Sequence, residues 1–274
     1  MVNICVLFKG LIIKNCVVMK KVNCLIIIIF SIISICFSSC TKDNTDETGI
    51  PNQSDFKLTL VKYAKYDDTD SIFYSNNKVS IIKQYGSSTS TSYTQYRFEY
   101  INSEVKIYER DFNSGVGSTE SLIRTMIFKD LKLSQIKNSE GIVYANYVYD
   151  ANKLKYVIVD SDDSLAVRYD TEGKNITEMK WYDYNPDTKE YSLVETFTYI
   201  FDNKNNPYKN HIYYPFYLYD DEENSLDYFN TNNILTTTYP TSTINRTYSY
   251  NENGYPDYVD RGTDGRIYFE YELK

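Results

Sequence analysis

Three clusters of carboxylates are the residues of this chain whose spacing comes closest to chemistry. Asp67-Asp68-Thr69-Asp70, Asp160-Ser161-Asp162-Asp163 and Asp220-Asp221-Glu222-Glu223 each gather oxygen ligands of the kind Ca²⁺ requires. Asp160, Asp162 and Asp163 are the set that could hold such an ion. None of the clusters follows the EF-hand loop with its central Gly, and solvated hairpin tips account for them equally. A glycoside-cleaving site needs two carboxylates at a set separation. With 37 acidic residues in the chain, sequence singles out no pair. His211 is the only histidine, and no G-x-S-x-G elbow accompanies it, so it reads as a strand residue in NHIYY. Zinc would need several Cys or His ligands, which the region after residue 40 does not supply. The remaining candidates bind rather than react. Trp181, Tyr182 and Tyr184 in MKWYDYN present ring faces that can stack on a sugar or a peptide, or can pack on a sheet.

A different chemistry is offered near the start. All five cysteines lie in the first 40 residues, with four lysines and no acid. Leu25 to Phe37 (LIIIIFSIISICF) is uncharged, and its length suits the apolar segment of an export signal, about 7–15 residues. A membrane-spanning helix needs roughly 20. Met19-Lys20-Lys21 stands just before it as a positive start, so translation is expected to begin either there or at Met1. The run ends in Phe37-Ser38-Ser39-Cys40, which resembles a lipobox, with Phe37 in place of the usual Leu. The resemblance implies a signal peptide over residues 1–39 and a diacylglycerol on the Cys40 thiol. Acyl chains contribute about 0.8 kcal/mol per buried CH₂, so such an N-terminus holds to a bilayer. No Asp follows Cys40, and the polar stretch KDNTDE is similar to the surface-export signal of Bacteroidota lipoproteins. Residues 40–54 carry too little apolar surface to order themselves and read as a tether, reaching roughly 45–50 Å when extended.

Removing the four lysines of the leader from 29 basic residues leaves 25 against 37 acidic ones, a net charge of −12. A surface this acidic repels phosphate backbones, which argues against nucleic acid as a partner. Apart from the anchor, this stretch has no cysteine and so no disulfide. Packing and sheet hydrogen bonds must hold it together.

Residues 55–274 are expected to form a single β domain. Side chains alternate polar and apolar in FKLTLVKY (56–63), YRFEY (96–100), KLKYVIV (153–159), ETFTYIF (195–201), RTYSY (246–250) and RIYFEYEL (266–273). Between such runs stand SNNK (75–78), INSE (101–104), DANK (150–153), TEGKN (171–175), NENG (251–254) and TDG (263–265). Asn, Asp and Gly accept positive φ at low cost, so these are hairpin turns. One short helix is expected at Asp221–Phe229. The 30 tyrosines fit a half-buried sheet, where the ring packs and the hydroxyl reaches water.

A unit recurs along the chain: aromatic-x-aromatic, Asp or Asn, a turn, then an apolar residue. It stands in YVYDANKL (147–154), VRYDTEGKNI (167–176), TYIFDNKNNP (198–207) and TYSYNENGYP (247–256), and more weakly in FEYINSEV (98–105). It resembles the YD (RHS-type) repeat, whose core is Tyr-x-Tyr-Asp-x-x-Gly-Arg-Leu. Only Gly173 and Gly254 supply the turn glycine, and the Arg-Leu pair is never intact. The larger pattern is similar to Bacteroidota surface lipoproteins built from such repeats. Asp70-Ser71-Ile72 and Asp163-Ser164-Leu165 match the pattern these bacteria use for O-glycosylation, which marks Ser71 and Ser164. The sequons at Asn175 and Asn245 carry little weight in a bacterium.

The resulting expectation is an all-β fold of antiparallel hairpin repeats in a curled or superhelical sheet. The membrane is its partner through the lipid anchor at the outer membrane, facing the surface or the periplasm. No cofactor is expected beyond the Ca²⁺ considered above. Three functions remain open: a non-catalytic module that binds glycan, peptide or partner protein, a polysaccharide hydrolase, and a structural spacer in an envelope complex.

Overall fold

Period-two alternation becomes strand almost everywhere it occurs. The computed structural model describes residues 56–87, 89–159, 163–170, 172–212 and 226–273. The leader, Cys40 and the tether lie outside them. The described residues contain 18 strands. In the first half these are β1 (Phe56–Tyr63), β2 (Asp68–Ser75), β3 (Lys78–Tyr85), β4 (Tyr93–Ile101), β5 (Glu104–Asn113), β6 (Val116–Gly117), β7 (Ser121–Lys129), β8 (Lys132–Asn138) and β9 (Val143–Asp150). The second half holds β10 (Lys153–Val159), β11 (Asp163–Tyr169), β12 (Ile176–Asn185), β13 (Glu190–Phe201), β14 (Ile234–Thr238), β15 (Thr243–Asn245), β16 (Thr247–Tyr250), β17 (Pro256–Asp260) and β18 (Arg266–Leu273). The turns fall on the residues whose chemistry tolerates them. Asn76 and Asn77 have φ of 50° and 62°, Asn102 53°, Ala151 51°, and Gly254 76°. The expected helix at 221–229 is replaced, where it is described, by one 3₁₀ turn over Leu226–Tyr228.

Every ladder is antiparallel, and nearly every strand pairs with its sequence neighbours. The exceptions are the pairing of β5 with β7 across the short β6, and that of β1 with β18, which joins the first and last described strands. The order therefore runs from β15 back through β14 to β1, then to β18, β17 and β16. Its two ends, β15 and β16, are separated in sequence by Arg246 alone and share no ladder. The sheet thus curls round on itself without closing into a hydrogen-bonded barrel.

Its inward face is apolar. Val79, Ile82, Val105, Ile107, Met126, Leu133, Ile136 and Val157 are fully buried, and each aliphatic side chain contributes about 1.5–3 kcal/mol. The described residues of the segment between β13 and β14, 202–212 and 226–233, pack into the interior they line. Its His211 Nε2 lies 3.4 Å from Tyr74 Oη on β2, Phe229 packs on Tyr147 of β9, and Tyr208 meets Phe269 of β18 edge-on. Asparagines hold this segment. Asn206 Nδ2 donates to the carbonyls of Asp227 (2.9 Å) and Asn230 (3.1 Å), and Asn230 Oδ1 accepts from the Ile176 amide (2.8 Å). Asn233 Nδ2 donates to Asp202 Oδ2 (3.0 Å), which also accepts from Tyr250 Oη.

Three of the five copies of the aromatic repeat, those with Tyr100, Tyr149 and Tyr248, share a hydroxyl bond with two tyrosines outside it, Tyr74 and Tyr271. Tyr74 Oη donates to the Leu58 carbonyl (2.9 Å), Tyr100 to Val79 (2.9 Å) and Tyr149 to Leu133 (2.9 Å). Tyr248 donates to Ile234 (3.0 Å) and Tyr271 to Pro256 (2.8 Å). Each acceptor stands immediately before a bulged residue: Thr59, Ser80, Ser134, Leu235 or Asp257. A bulge disrupts the ladder locally, which leaves a carbonyl for the tyrosine and bends the strand. The same device therefore satisfies a backbone acceptor and curls the sheet. Lys57, Lys78 and Lys132, each one residue before an acceptor, lie 5.3, 4.7 and 5.3 Å from the Tyr74, Tyr100 and Tyr149 ring centres. At Tyr271 the lysine gives way to Tyr255, with centroids 5.5 Å apart.

Candidate binding face

The β12–β13 hairpin is longer than its neighbours. The ladder to β11 stops at Tyr182, and β14 covers β13 only from Thr198 to Phe201. The distal half therefore projects, and Glu190 to Glu195 are all exposed. Its end is fixed by Asn185, whose Oδ1 accepts from the amides of Asp187 (2.9 Å) and Thr188 (3.3 Å). Lys189 closes the turn with φ of 57°.

Register decides what this projection offers. Tyr184 pairs with Tyr191 and Tyr182 with Leu193, so alternation puts all four on one face. The Tyr184 and Tyr191 rings are 5.1 Å apart at 50°, a tilted aromatic pair. Tyr191 is 50% exposed and Leu193 53%. Val194, the bulged residue beside them, is 51% exposed. Large apolar groups left this open on a hairpin tip carry no folding role of comparable size, and contiguous exposed apolar surface marks interaction sites. The residues at hand can stack and desolvate a partner. They bring no acid–base pair to the face.

Of the three aromatics expected to act together, Tyr182 and Tyr184 do share this face. Trp181 lies on the other one, half-buried against the core, with Nε1 donating to Asp183 Oδ1 at 3.1 Å. Adjacent strand residues point to opposite sides, so the sequence already held this separation. Tyr191 and Leu193 were missed because their partnership depends on the hairpin register.

The other candidates disperse. Asp160 and Asp162 lie outside the described residues, and Asp163 opens β11. Asp67 pairs with Lys62 (3.3 Å), while Asp70 is buried on the inward face, 5% exposed, with its carboxyl raised to about 7 by desolvation. No group of three His, Cys, Asp or Glu converges among the described residues. Ser71 lies mid-strand in β2, opposite Leu60 and Lys83, and Ser164 lies in β11. His211 is not in a strand. It sits in the interior segment, 3% exposed, and burial lowers it to about 3, so it is neutral. A partly enclosed cavity of about 50 Å³ is lined by Tyr63, Asp227, Arg246, Tyr248 and Arg261 among others, and Asp227 is the one carboxylate among its described lining residues. A two-carboxylate hydrolase is not assembled there.

No protein-family model matches the chain, and no curated protein does. Solved structures to which the chain is similar include a porin-like protein from Bacteroides uniformis, with a TM-score of 0.35 and 10% identity, covering 83% of this chain and 100% of that one. A porin-like protein from Bacteroides vulgatus gives a TM-score of 0.22 and 12% identity over 82% of this chain and 86% of that one.

Proposed function

We propose that this chain is an outer-membrane lipoprotein, anchored through Cys40, whose β domain is a non-catalytic module that docks a glycan, peptide or partner protein on the β12–β13 hairpin. The observation that carries the reading is the uncovered face of Tyr182, Tyr184, Tyr191 and Leu193, held rigid by its cross-strand pairs at the end of a projecting ladder. Tyrosine suits such a face, because it offers large contact area at the entropic cost of two χ angles and keeps a hydroxyl for the partner.

A screen of the full chain against glycan arrays and outer-membrane extracts tests this. Tyr184→Ala/Tyr191→Ala should weaken the captured partner at least about tenfold, with the thermal midpoint nearly unchanged, since both side chains project away from the core. Tyr→Phe at the same positions should retain most of the affinity. Retention by the alanine variant, or no capture at all, would remove the hairpin from the binding role.

The anchor has its own readout. Cys40→Ser should release the protein from the membrane fraction, because the thioether needs a thiol and residues 41–54 hold no other. Mass spectrometry of the native chain should find an acylated Cys40 at its start. Continued membrane attachment of the serine variant would overturn the lipid anchor while leaving the hairpin reading in place.

A further inference from the structure

Lys132, Lys153 and Lys174 stand 21 residues apart. Each directly follows a residue, Leu131, Asn152 or Gly173, that belongs to a hairpin turn or loop. The turns of β7–β8, β9–β10 and β11–β12 fall at the same end of the antiparallel sheet, so the repeat stacks these lysines there. The interior segment adds Lys209. All four line one half-open cleft of about 220 Å³, with Tyr149 and Phe229 among its walls. None of the described lining residues is acidic, in a chain where acids outnumber bases 37 to 29.

The amines are arranged rather than scattered. Lys132 Nζ donates to the Ala151 carbonyl at 2.6 Å, and Lys209 Nζ to Thr231 Oγ1 at 2.8 Å. Lys153 lies against Gly173, where any side chain would collide with its amine. Gly173, with φ of 71°, therefore serves the turn and leaves room for the lysine. Lys174 meets one carboxylate, Glu172 at 2.6 Å, which is itself 67% exposed at the rim. Asp170 also acts on Lys174, although its oxygens are engaged by the Lys174 and Asn175 amides. Lys209 is held below its ordinary range by desolvation and by the charge of Lys174. Like charges gathered in a concave site repel one another and focus a field that an anion relieves.

We propose that this cleft binds a single acidic sugar residue, a uronate or a sulfated ring, with its oxyanion among Lys153, Lys174 and Lys209 and its ring against Phe229. The size supports this choice. About 220 Å³ exceeds the room for a bare oxyanion, being several times the ~30 Å³ share of one water, and falls short of the ~300 Å³ where drug-sized pockets begin. The site lies at the opposite end of β12 from the Tyr184 face, about 30 Å along the strand, and does not depend on that reading.

Titration calorimetry on the full chain in detergent decides the matter, with digalacturonate, a sulfated disaccharide, a neutral disaccharide and inorganic phosphate as probes. The two acidic disaccharides should bind, more weakly at high salt, and the neutral one should not. Lys153→Gln/Lys174→Gln should weaken them at least tenfold, and its thermal midpoint, unlike that of the wild type, should no longer rise when they are added. Tyr184→Ala/Tyr191→Ala should bind them as the wild type does. Binding of phosphate alone would mark a free-oxyanion site and overturn the sugar. Equal binding of the neutral probe, or an unaffected lysine variant, would overturn the cleft. Loss in the tyrosine variant alone would move the ligand to the hairpin. Should the double variant fold poorly, Lys209→Met gives the same test from the interior segment.

Discussion

Asn175→Ala is expected to lower stability by about 3–5 kcal/mol, measured by urea denaturation of the full chain. Asn175 is 5% exposed, and its amide uses all its hydrogen-bonding capacity. Oδ1 accepts from the amides of Thr231 (3.0 Å) and Asn232 (3.0 Å). Nδ2 donates to Asp170 Oδ2 (3.1 Å) and Asn232 Oδ1 (3.0 Å). One side chain thus ties the β11–β12 loop to residues more than 50 positions later. Truncation strands the Asn232 amide at a cost of about 1–3 kcal/mol, leaves the Thr231 amide only its bond to the Lys174 carbonyl (3.1 Å), and removes three further hydrogen bonds worth about 0.5–1.5 kcal/mol each. Asn175→Asp should also destabilise, because it loses both donors and sets a charge beside Asp170. A loss below about 1 kcal/mol would mean that the interior segment is held by its apolar contacts alone.

Asp70→Asn should do the reverse and stabilise the protein by about 2–4 kcal/mol near pH 8. Asp70 shares the inward face of β2 with Ile72, and desolvation raises its carboxyl from the ordinary range to about 7, partly offset by a hydrogen bond from Gln84. Between about pH 4 and 7 the folded protein keeps a proton that the unfolded chain has released. Stability therefore falls as pH rises through this window, and the full cost is present above it. Three units at about 1.36 kcal/mol each set a ceiling near 4 kcal/mol. The amide keeps the shape and a partner for Gln84 but never ionises, so the advantage should nearly vanish at about pH 4. His211 titrates in the opposite sense. Lowered to about 3, it withdraws stability as pH falls below about 6.5, and this slope should remain in the variant. Urea midpoints across this range give both slopes. An advantage equal at pH 4 and pH 8 would exclude ionisation of Asp70 as its cause.

What was legible in the sequence was whatever depends on neighbours along the chain. Alternation located β1, β10 and β18 residue for residue, and the clusters at 150–153 and 263–265 marked the turns before β10 and β18. Parity would have placed Asp70 inside and Trp181 apart from Tyr182, had it been applied to polar residues as strictly as to apolar ones. Less was legible wherever the partner is distant. The tyrosine hydroxyls bond carbonyls 14 to 21 residues away, freed by bulges that no composition signal marks. The run NKNN in TYIFDNKNNP reads only as a turn, because asparagines look alike whether solvated or interlocked. Asn175, discounted as a sequon, proves to be a structural residue. The candidate face was half visible: Tyr182 and Tyr184 stood in one motif, whereas Tyr191 and Leu193 joined them only through register.

The pairing of β1 with β18 has a kinetic consequence. Most ladders here join adjacent hairpins and can zip within microseconds to milliseconds, in the order the strands are synthesised. The Thr59 hydroxyl and the Glu270 carbonyl, by contrast, are 211 residues apart, and that contact cannot form until nearly the whole polypeptide has been delivered. Until then β1 is an open template for foreign strands, with Lys57 and Lys62 as its guards. Assembly should therefore end in one slow clasping step, and the nascent protein is most exposed to misassociation just before it.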